Sequence, residues 1–263
     1  MSSVPYLLEA RNVAKMFRGV QALSNFSLKL PPLAIHGIIG PNGAGKTTLF
    51  NCLTGFLRPT TGSITFRGQD ITGEPAYRVA RMGMVRTFQN IRLFNRSSVR
   101  ENVKVALQQS FEPGGSRLWQ TVLSSPTFRQ RERGMDDATD DLLARVGLYE
   151  RREQVAGSLP YGDQRKLEIA RAVALKPRLL LLDEPTAGMN PTESTELLGL
   201  LRRLRDELRI TIIVIAHDIP LVMNLCERIQ VLNFGQLIAE GEPALIRNNP
   251  GVIAAYLGAT DVR

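Results

Sequence analysis

The residues with the most chemistry to offer are Gly40-Pro41-Asn42-Gly43-Ala44-Gly45-Lys46-Thr47-Thr48, which follow the spacing G-x-x-x-x-G-K-[ST]. Glycines at this spacing let consecutive backbone N–H groups turn inward on a phosphate, and the positive end of a following helix favours the same anion. Lys46 would reach the β- and γ-phosphates of a nucleoside triphosphate, and the Thr47 hydroxyl would help to hold Mg²⁺. A second group lies far along the chain, in Leu179-Leu180-Leu181-Leu182-Asp183-Glu184. Four apolar residues that run into an acidic pair put Asp183 at a strand end, where it can hold Mg²⁺ through a coordinated water. Glu184 beside it can polarise an attacking water as a general base. Alone, such a pair reads as a solvated turn; with a phosphate loop in the same chain it completes a nucleotide-hydrolysing site.

Such a loop needs a buried strand to deliver it and a helix to leave it. Residues 33–39 form an apolar run suited to the strand, and residues 49–57 read as the helix. Upstream, 6–13 and 26–30 read as short strands, with Pro31-Pro32 as the turn before the loop strand; 63–67 reads as another strand after a Pro-Thr-Thr-Gly turn. From about 95 to 176 the pattern is mostly helical, with apolar residues at helical spacing in 99–109 and 138–146. Between these, 111–135 carries Pro113-Gly114-Gly115, Pro126 and the basic Arg129, Arg131 and Arg133. It reads as an exposed, partly irregular excursion, either a solvated face or a contact surface.

The α/β rhythm then returns. Residues 179–182 and 210–215 read as buried strands, and 193–208 as an amphipathic helix with Leu197, Leu200, Leu201, Leu204 and Leu208 on one side. Segments 228–234 and 236–240 flank Gly235 like a hairpin, and a helical stretch follows. The expected fold class is α/β, a P-loop NTPase with a β-rich N-terminal portion. Its core would comprise 1–94 and 177–263, with a helical lobe inserted at 95–176.

Composition bounds this reading. A chain of 263 residues can bury a sizeable core, and 43% hydrophobic with 22% charged residues is ordinary for a globular protein. No apolar run reaches the length of a transmembrane helix, and the start lacks the basic-then-apolar layout of a secretory signal. Cys52 and Cys226 lie in apolar helix-like stretches and match no metal spacing, so they read as core residues in a reducing compartment. A net charge of +8 suggests an anionic partner, a membrane surface or a nucleic acid, or simply a basic surface.

With the acidic pair placed, the chain resembles the ABC ATPases, the nucleotide-binding subunits of ATP-binding cassette transporters, nearly end to end. In that family an aromatic upstream of the loop stacks on adenine, and Phe17 stands at the matching position. The family's Q-loop glutamine, which helps with Mg²⁺ and the attacking water, matches Gln89 in Arg86-Thr87-Phe88-Gln89-Asn90. Its D-loop matches Ala187-Gly188-Met189-Asn190-Pro191, and its switch histidine, which contacts the γ-phosphate, matches His217. The family signature, Leu-Ser-Gly-Gly-Gln before a helix, stands here as Leu159-Pro160-Tyr161-Gly162-Asp163. Pro160 removes a hydroxyl and a backbone N–H, and Asp163 brings a negative charge to a position implied to face ATP on an opposite subunit. His36 matches no family residue and is expected to be packed in its strand.

Within the family, the Tyr-Gly form of the signature, the Ala-Gly-Met-Asn-Pro D-loop and the ending Ile246-Arg247-Asn248-Asn249-Pro250 with Ala255-Tyr256-Leu257-Gly258 resemble ATPase subunits of branched-chain amino-acid importers. The inserted 111–135 segment suits the longer of their two ATPase subunits. The resemblance implies ATP and Mg²⁺, and a head-to-tail dimer with a second ATPase subunit or with itself. It also implies two membrane permease subunits, a binding protein reached indirectly, and no nucleic acid. The expected location is peripheral, at the cytoplasmic face of the inner membrane, with other amino acids, amides or urea as alternative cargo. Two other readings are an ABC ATPase acting on DNA or ribosomes and a stand-alone nucleotide-binding regulator; Glu184 speaks against the latter.

Overall fold

The chain was described from a computed structural model, in which residues 6–111, 126–216 and 219–257 are placed. In order its elements are β1 (Leu8–Phe17), β2 (Val20–Leu30), β3 (Ile35–Ile39), α1 (Lys46–Leu53), β4 (Thr61–Phe66), β5 (Gln69–Asp70), α2 (Ala76–Arg81), β6 (Met84–Arg86), α3 (Val99–Phe111) and α4 (Pro126–Arg145). There follow α5 (Tyr161–Ala174), β7 (Leu179–Asp183), α6 (Pro191–Leu208), β8 (Thr211–Ile215), α7 (Ile219–Leu225), β9 (Arg228–Asn233), β10 (Gln236–Gly241), α8 (Pro243–Arg247) and α9 (Pro250–Leu257). They group into two compact units. One takes the described residues up to Arg86, Arg178–Pro185 and those from Leu201 onward; the other takes the described residues of Thr87–Pro177 and Thr186–Leu200.

The first unit holds both sheets. Side chains alternate between buried and exposed along β4 and along the second half of β2, as expected of strands covered on one face. These strands join an antiparallel sheet of order β2-β1-β4-β5. In contrast, β3, β7 and β8 are unbroken runs of buried residues, the mark of parallel strands covered on both faces. They form the centre of a six-stranded sheet ordered β10-β9-β3-β8-β7-β6, parallel except for the β9–β10 hairpin. In a sheet of this kind, ligands bind at the carboxyl ends of the strands. Register sets which residues share that end: Ile38 and Asp183 both pair with Ile215, so the turn after β3 and the acidic pair after β7 emerge at one level.

Several element boundaries differ from the sequence reading, each for a local reason. The loop strand begins at Ile35 instead of residue 33 because Leu33 adopts φ 66°, and its N–H donates to Thr211 Oγ1 at 2.8 Å. The helix after the loop starts at Lys46 and ends at Leu53, earlier than expected. It stops because Gly55 turns left-handed beside the Glu74 carbonyl, where a Cβ would lie at 2.3 Å. In the second unit α4 already begins at Pro126, so the last part of the supposed irregular excursion is helical. Proline at the first position of a helix sacrifices no hydrogen bond. The Pro113-Gly114-Gly115 portion lies outside the described residues.

Cys52 and Cys226 are both buried, and burial raises the Cys52 thiol to about 11 and the Cys226 thiol further still. His36 is packed in β3 at 2% exposure. Burial lowers its pKa to about 4, against the opposing pull of a Gln230 hydrogen bond and the Glu240 carboxylate, while Arg228 lowers it further. The imidazole is therefore neutral in the folded chain and takes up its proton more readily when unfolded. Its contribution to stability is present above pH 6.5 and is lost as pH falls from 6.5 towards 4. Between pH 7 and 5 this should cost about 2 kcal/mol by linkage. Denaturant melts of the wild type and His36→Gln at the two pH values should differ by that amount in their acid sensitivity. Parallel losses in the two proteins would remove His36 as the cause.

Candidate nucleotide site

The turn from β3 into α1 is built on glycine for steric reasons. A Cβ at Gly40 would lie 2.2 Å from the Leu232 carbonyl oxygen. Gly45 caps α1 with φ 100°, and a Cβ there would meet the Ala22 carbonyl oxygen at 2.6 Å. The back of the loop is braced from both sheets: Gly235 N–H donates to the Ala44 carbonyl at 3.0 Å, and Ser24 N–H donates to the Gly235 carbonyl at 2.7 Å. Asn42, Gly43 and Thr47 are exposed, Pro41, Gly45 and Thr48 are partly so, and Gly40, Ala44 and Lys46 are buried. The buried members hold the turn while the exposed ones present backbone and hydroxyl groups outward.

Lys46 Nζ lies within this turn and donates to the carbonyls of Gly40 at 2.6 Å and Pro41 at 2.9 Å. Burial lowers its pKa, and the Glu184 and Asp183 carboxylates oppose that shift. Both acids expected from sequence therefore act on the loop lysine. Asp183, at the end of β7, is buried and accepts from Arg86 at 2.7 Å. Glu184, half-buried, adopts φ 47°, and its N–H donates to the Ile215 carbonyl at 2.8 Å. A left-handed glutamate is a sparsely populated conformation that persists only when its surroundings over-determine it. Here the bond from its N–H to Ile215 of β8 holds the residue one position past the end of β7.

The donor set suits Mg²⁺. Asp183 and Thr47 supply hard oxygens, and Mg²⁺ at phosphates takes one or two carboxylates with the remaining positions filled by phosphate and water. Among the described residues no three His, Cys, Asp or Glu converge into a protein cage. Phe17, at the end of β1, is 42% exposed with Lys15 Nζ at 5.2 Å from its ring centroid, leaving ring surface available for stacking. His217 lies outside the described residues.

Gln89 and the signature segment belong to the second unit. Gln89 is exposed, and its backbone carbonyl accepts from Arg165 at 3.3 Å. Pro160 caps α5, with Asp163 and Gln164 N–H groups donating to its carbonyl at 3.0 Å. Leu159 is buried just before it. Tyr161, in place of the family's first glycine, lies against Gly188, where a Cβ would be 3.2 Å from its ring. Gly162 faces Glu193, whose carboxylate would be 3.0 Å from an added Cβ. The expected negative charge of Asp163 is countered: Arg151 pairs with it at 2.9 Å and Lys166 at 3.4 Å.

Two residues of consequence escaped the sequence reading. Arg86, the last residue of β6, pairs with Asp183. Arg165, fully buried, donates to the Phe88 carbonyl at 3.1 Å and to Glu168 at 2.6 Å. Arg86 carried a sequence signal, a charge directly after the apolar Met84-Val85; Arg165, between Gln164 and Lys166, carried none. Lys46→Ala should lower nucleotide affinity about 10–100-fold, the worth of a hydrogen bond to a charged group, in a variant that keeps its melting temperature. Near-wild-type affinity by fluorescent-nucleotide titration would remove the loop lysine from the site.

Comparison with known proteins agrees with this arrangement. The ABC transporter family matches residues 23–187, and a family described as branched-chain amino acid ATP-binding cassette transporter matches 236–262. The chain is 48% identical to the high-affinity branched-chain amino acid transport ATP-binding protein LivG of Escherichia coli K12, covering 96% of this chain and 98% of that one. It is 44% identical, over the same shares, to the corresponding protein BraF of Pseudomonas aeruginosa. Among solved structures, the ADP conformation of MJ1267, an ATP-binding cassette of an ABC transporter, superimposes with a TM-score of 0.82 at 30% identity, covering 96% of this chain and 98% of that one.

Proposed function

The chain belongs to the ABC transporter family, and from that premise we propose that it is the ATP-hydrolysing motor subunit of a branched-chain amino-acid importer. The observation that carries this is that the turn after β3, with Lys46, and the Asp183-Glu184 pair after β7 emerge at one end of the parallel sheet, Ile38 and Asp183 both pairing with Ile215. The choice of cargo rests on the near-full-length similarity to LivG and BraF and on the C-terminal match. The alternative of an ATPase acting on DNA or ribosomes has no support among these relatives.

In this reading the loop amides and Lys46 bind the β- and γ-phosphates, Thr47 and Asp183 hold Mg²⁺ with help from Gln89, and Phe17 stacks on adenine. Mg²⁺, when bound, neutralises charge on the phosphate oxygens. Glu184 takes a proton from water as the water oxygen bonds to the γ-phosphorus; the bond from that phosphorus to the bridging oxygen breaks, giving ADP and phosphate. His217 would contact the γ-phosphate. Leu159, Pro160, Tyr161, Gly162 and Asp163 would face ATP on an opposite subunit, a LivF-like chain or a second copy in a head-to-tail dimer. Closure on ATP and reopening after hydrolysis would drive two permease subunits, which in turn meet the binding protein. The similarity to transporter ATP-binding proteins supports a peripheral place on the cytoplasmic face, held by the permeases; among the described residues no helix is long and apolar enough to cross a membrane.

Glu184→Gln should keep ATP binding and lower hydrolysis by about 10²–10⁴-fold, the usual contribution of a general base. A loss below about tenfold would assign that role elsewhere. Reconstituted with permeases, the wild type should drive ATP-dependent leucine uptake into proteoliposomes, and the variant should not. The signature generates a further expectation. With no hydroxyl at Pro160, this chain completes its partner's ATP site poorly, while its own loop is completed by the partner. In a heterodimer, Glu184→Gln should therefore damage turnover far more than the matching change in the partner, and Pro160→Ser should leave activity intact or raise it. Equal losses from the two glutamate variants would end the asymmetry.

A further inference from the structure

Arg86 is the last residue of β6, directly before the segment that carries Gln89 and at the point where the chain leaves the first compact unit. Its side chain is only 7% exposed. One guanidinium nitrogen donates to Asp183 Oδ2 at 2.7 Å, and the other terminal nitrogen donates to Asn51 Oδ1 at 2.6 Å. The guanidinium carbon stands 5.3 Å from the centroid of the Phe50 ring. Phe50 and Asn51 both lie on α1, the helix that leaves the phosphate loop. One side chain thus ties that helix to the acid at the end of β7, from the root of the Gln89 segment.

Stability alone explains this arrangement badly. A buried ion pair recovers little more than its desolvation cost, and apolar residues of similar volume often serve as well or better. The pair does fix geometry. Arg86 holds Oδ2, so the plane of the Asp183 carboxylate is set and Oδ1 is left outside that bond. Asn51 holds the other arm of the planar guanidinium, so the carboxylate is referred to α1 and to the loop that α1 leaves. Groups that orient a metal-facing carboxylate in this way typically govern metal affinity by about 10–100-fold.

We propose that Arg86 is a positioning residue for the Mg²⁺ of the nucleotide, holding the Asp183 carboxylate in register with the phosphate loop. This rests on the reading of Asp183 as the acid that faces Mg²⁺. Lysine at position 86 keeps the charge but lacks the fork needed to reach Asn51 and Asp183 together. Methionine keeps length and loses both bonds.

The test uses the full-length chain and a fluorescent ATP analogue, with binding measured in EDTA and across a Mg²⁺ series. Arg86→Met should raise the Mg²⁺ concentration for half-maximal effect about 10-fold or more, with affinity in EDTA within about twofold of wild type. Arg86→Lys and Asn51→Ala should shift the midpoint in the same direction by less, and they serve if the methionine variant fails to fold. Asp183→Asn should shift the midpoint alone, and adding Arg86→Met to it should add little, because the two act as one unit. An unmoved midpoint in Asp183→Asn would overturn the Mg²⁺ reading of that acid and the proposal with it. If Asp183→Asn shifts the midpoint and none of the Arg86 and Asn51 variants does, Asp183 keeps its role and Arg86 loses its own. Equal losses in EDTA and in Mg²⁺ would make Arg86 a purely structural residue.

Discussion

A turn whose first residue tolerates no side chain governs the first unit. At Gly40 the backbone passes so close to the Leu232 carbonyl that a single methyl would collide with it. Leu232 belongs to β9, the neighbour of β3, so the turn after β3 is shaped by the next strand of the same sheet. The hairpin that follows β9 closes on the loop from behind, with Gly235 bonded to both Ala44 and Ser24. Loop position is thus fixed by two sheets that meet at one glycine, and Lys46 is held in the curve by carbonyls of the loop itself. With the loop set, strand register brings the acidic pair to the same end, and β7 ends there as Glu184 turns left-handed.

The second unit shows the same use of buried polar contacts to hold irregular backbone. The segment from Phe88 to Arg92 has no regular structure and is tied to α5 by side chains. Arg165 donates to the Phe88 and Gln89 carbonyls, and Arg171 donates to that of Arg92. Glu168, whose pKa burial raises, is held down by Arg165 and by backbone N–H groups of Phe88 and Arg92. Every one of these tethers starts on the helix that follows the signature. A buried charge left without its partner is costly, so buried Arg165 and Glu168 depend on each other. The Gln89 segment is therefore tied to α5 directly, with no intervening element. The D-loop is tied into the same unit by Tyr161 against Gly188 and by the reciprocal bonds of Asn190 and Glu193 that cap α6.

Much of this was legible in the sequence because the chemistry is local. The apolar runs into the loop and into Asp183-Glu184 and the run at 210–215 carry their own spacing and form the central parallel strands; the short β6 carried no such pattern and was not expected. Boundaries were less legible because single residues set them: Leu33 in a left-handed conformation shortened β3, and Gly55 shortened α1. Proline signals misled at Pro126, which begins a helix instead of continuing a loop. The buried arginines were hidden for a deeper reason. Arg86 and Arg165 look like surface charges in sequence, and only tertiary partners, Asp183 and Asn51 for the first and the Phe88 carbonyl for the second, show that they are internal. Composition patterns count residue types; they do not record which distant acid meets which base.

The signature shows how structure can shrink an expectation without cancelling it. From sequence, Pro160 and Asp163 both weaken anion binding, the first by losing a hydroxyl and the second by adding charge. Arg151 and Lys166 now counter the Asp163 charge, so the electrostatic part of that deficit largely disappears. Proline at the cap position gives up an N–H, but Asp163 and Gln164 N–H groups already find the Pro160 carbonyl, and the first-turn amides of Tyr161 and Gly162 remain helix-start donors. What remains is one missing hydroxyl. A hydrogen bond to a charged group is worth about 1.5–3 kcal/mol. The asymmetry between two ATP sites in the proposed dimer therefore comes to about 10–100-fold. That is enough to rank the two sites and too little to silence one.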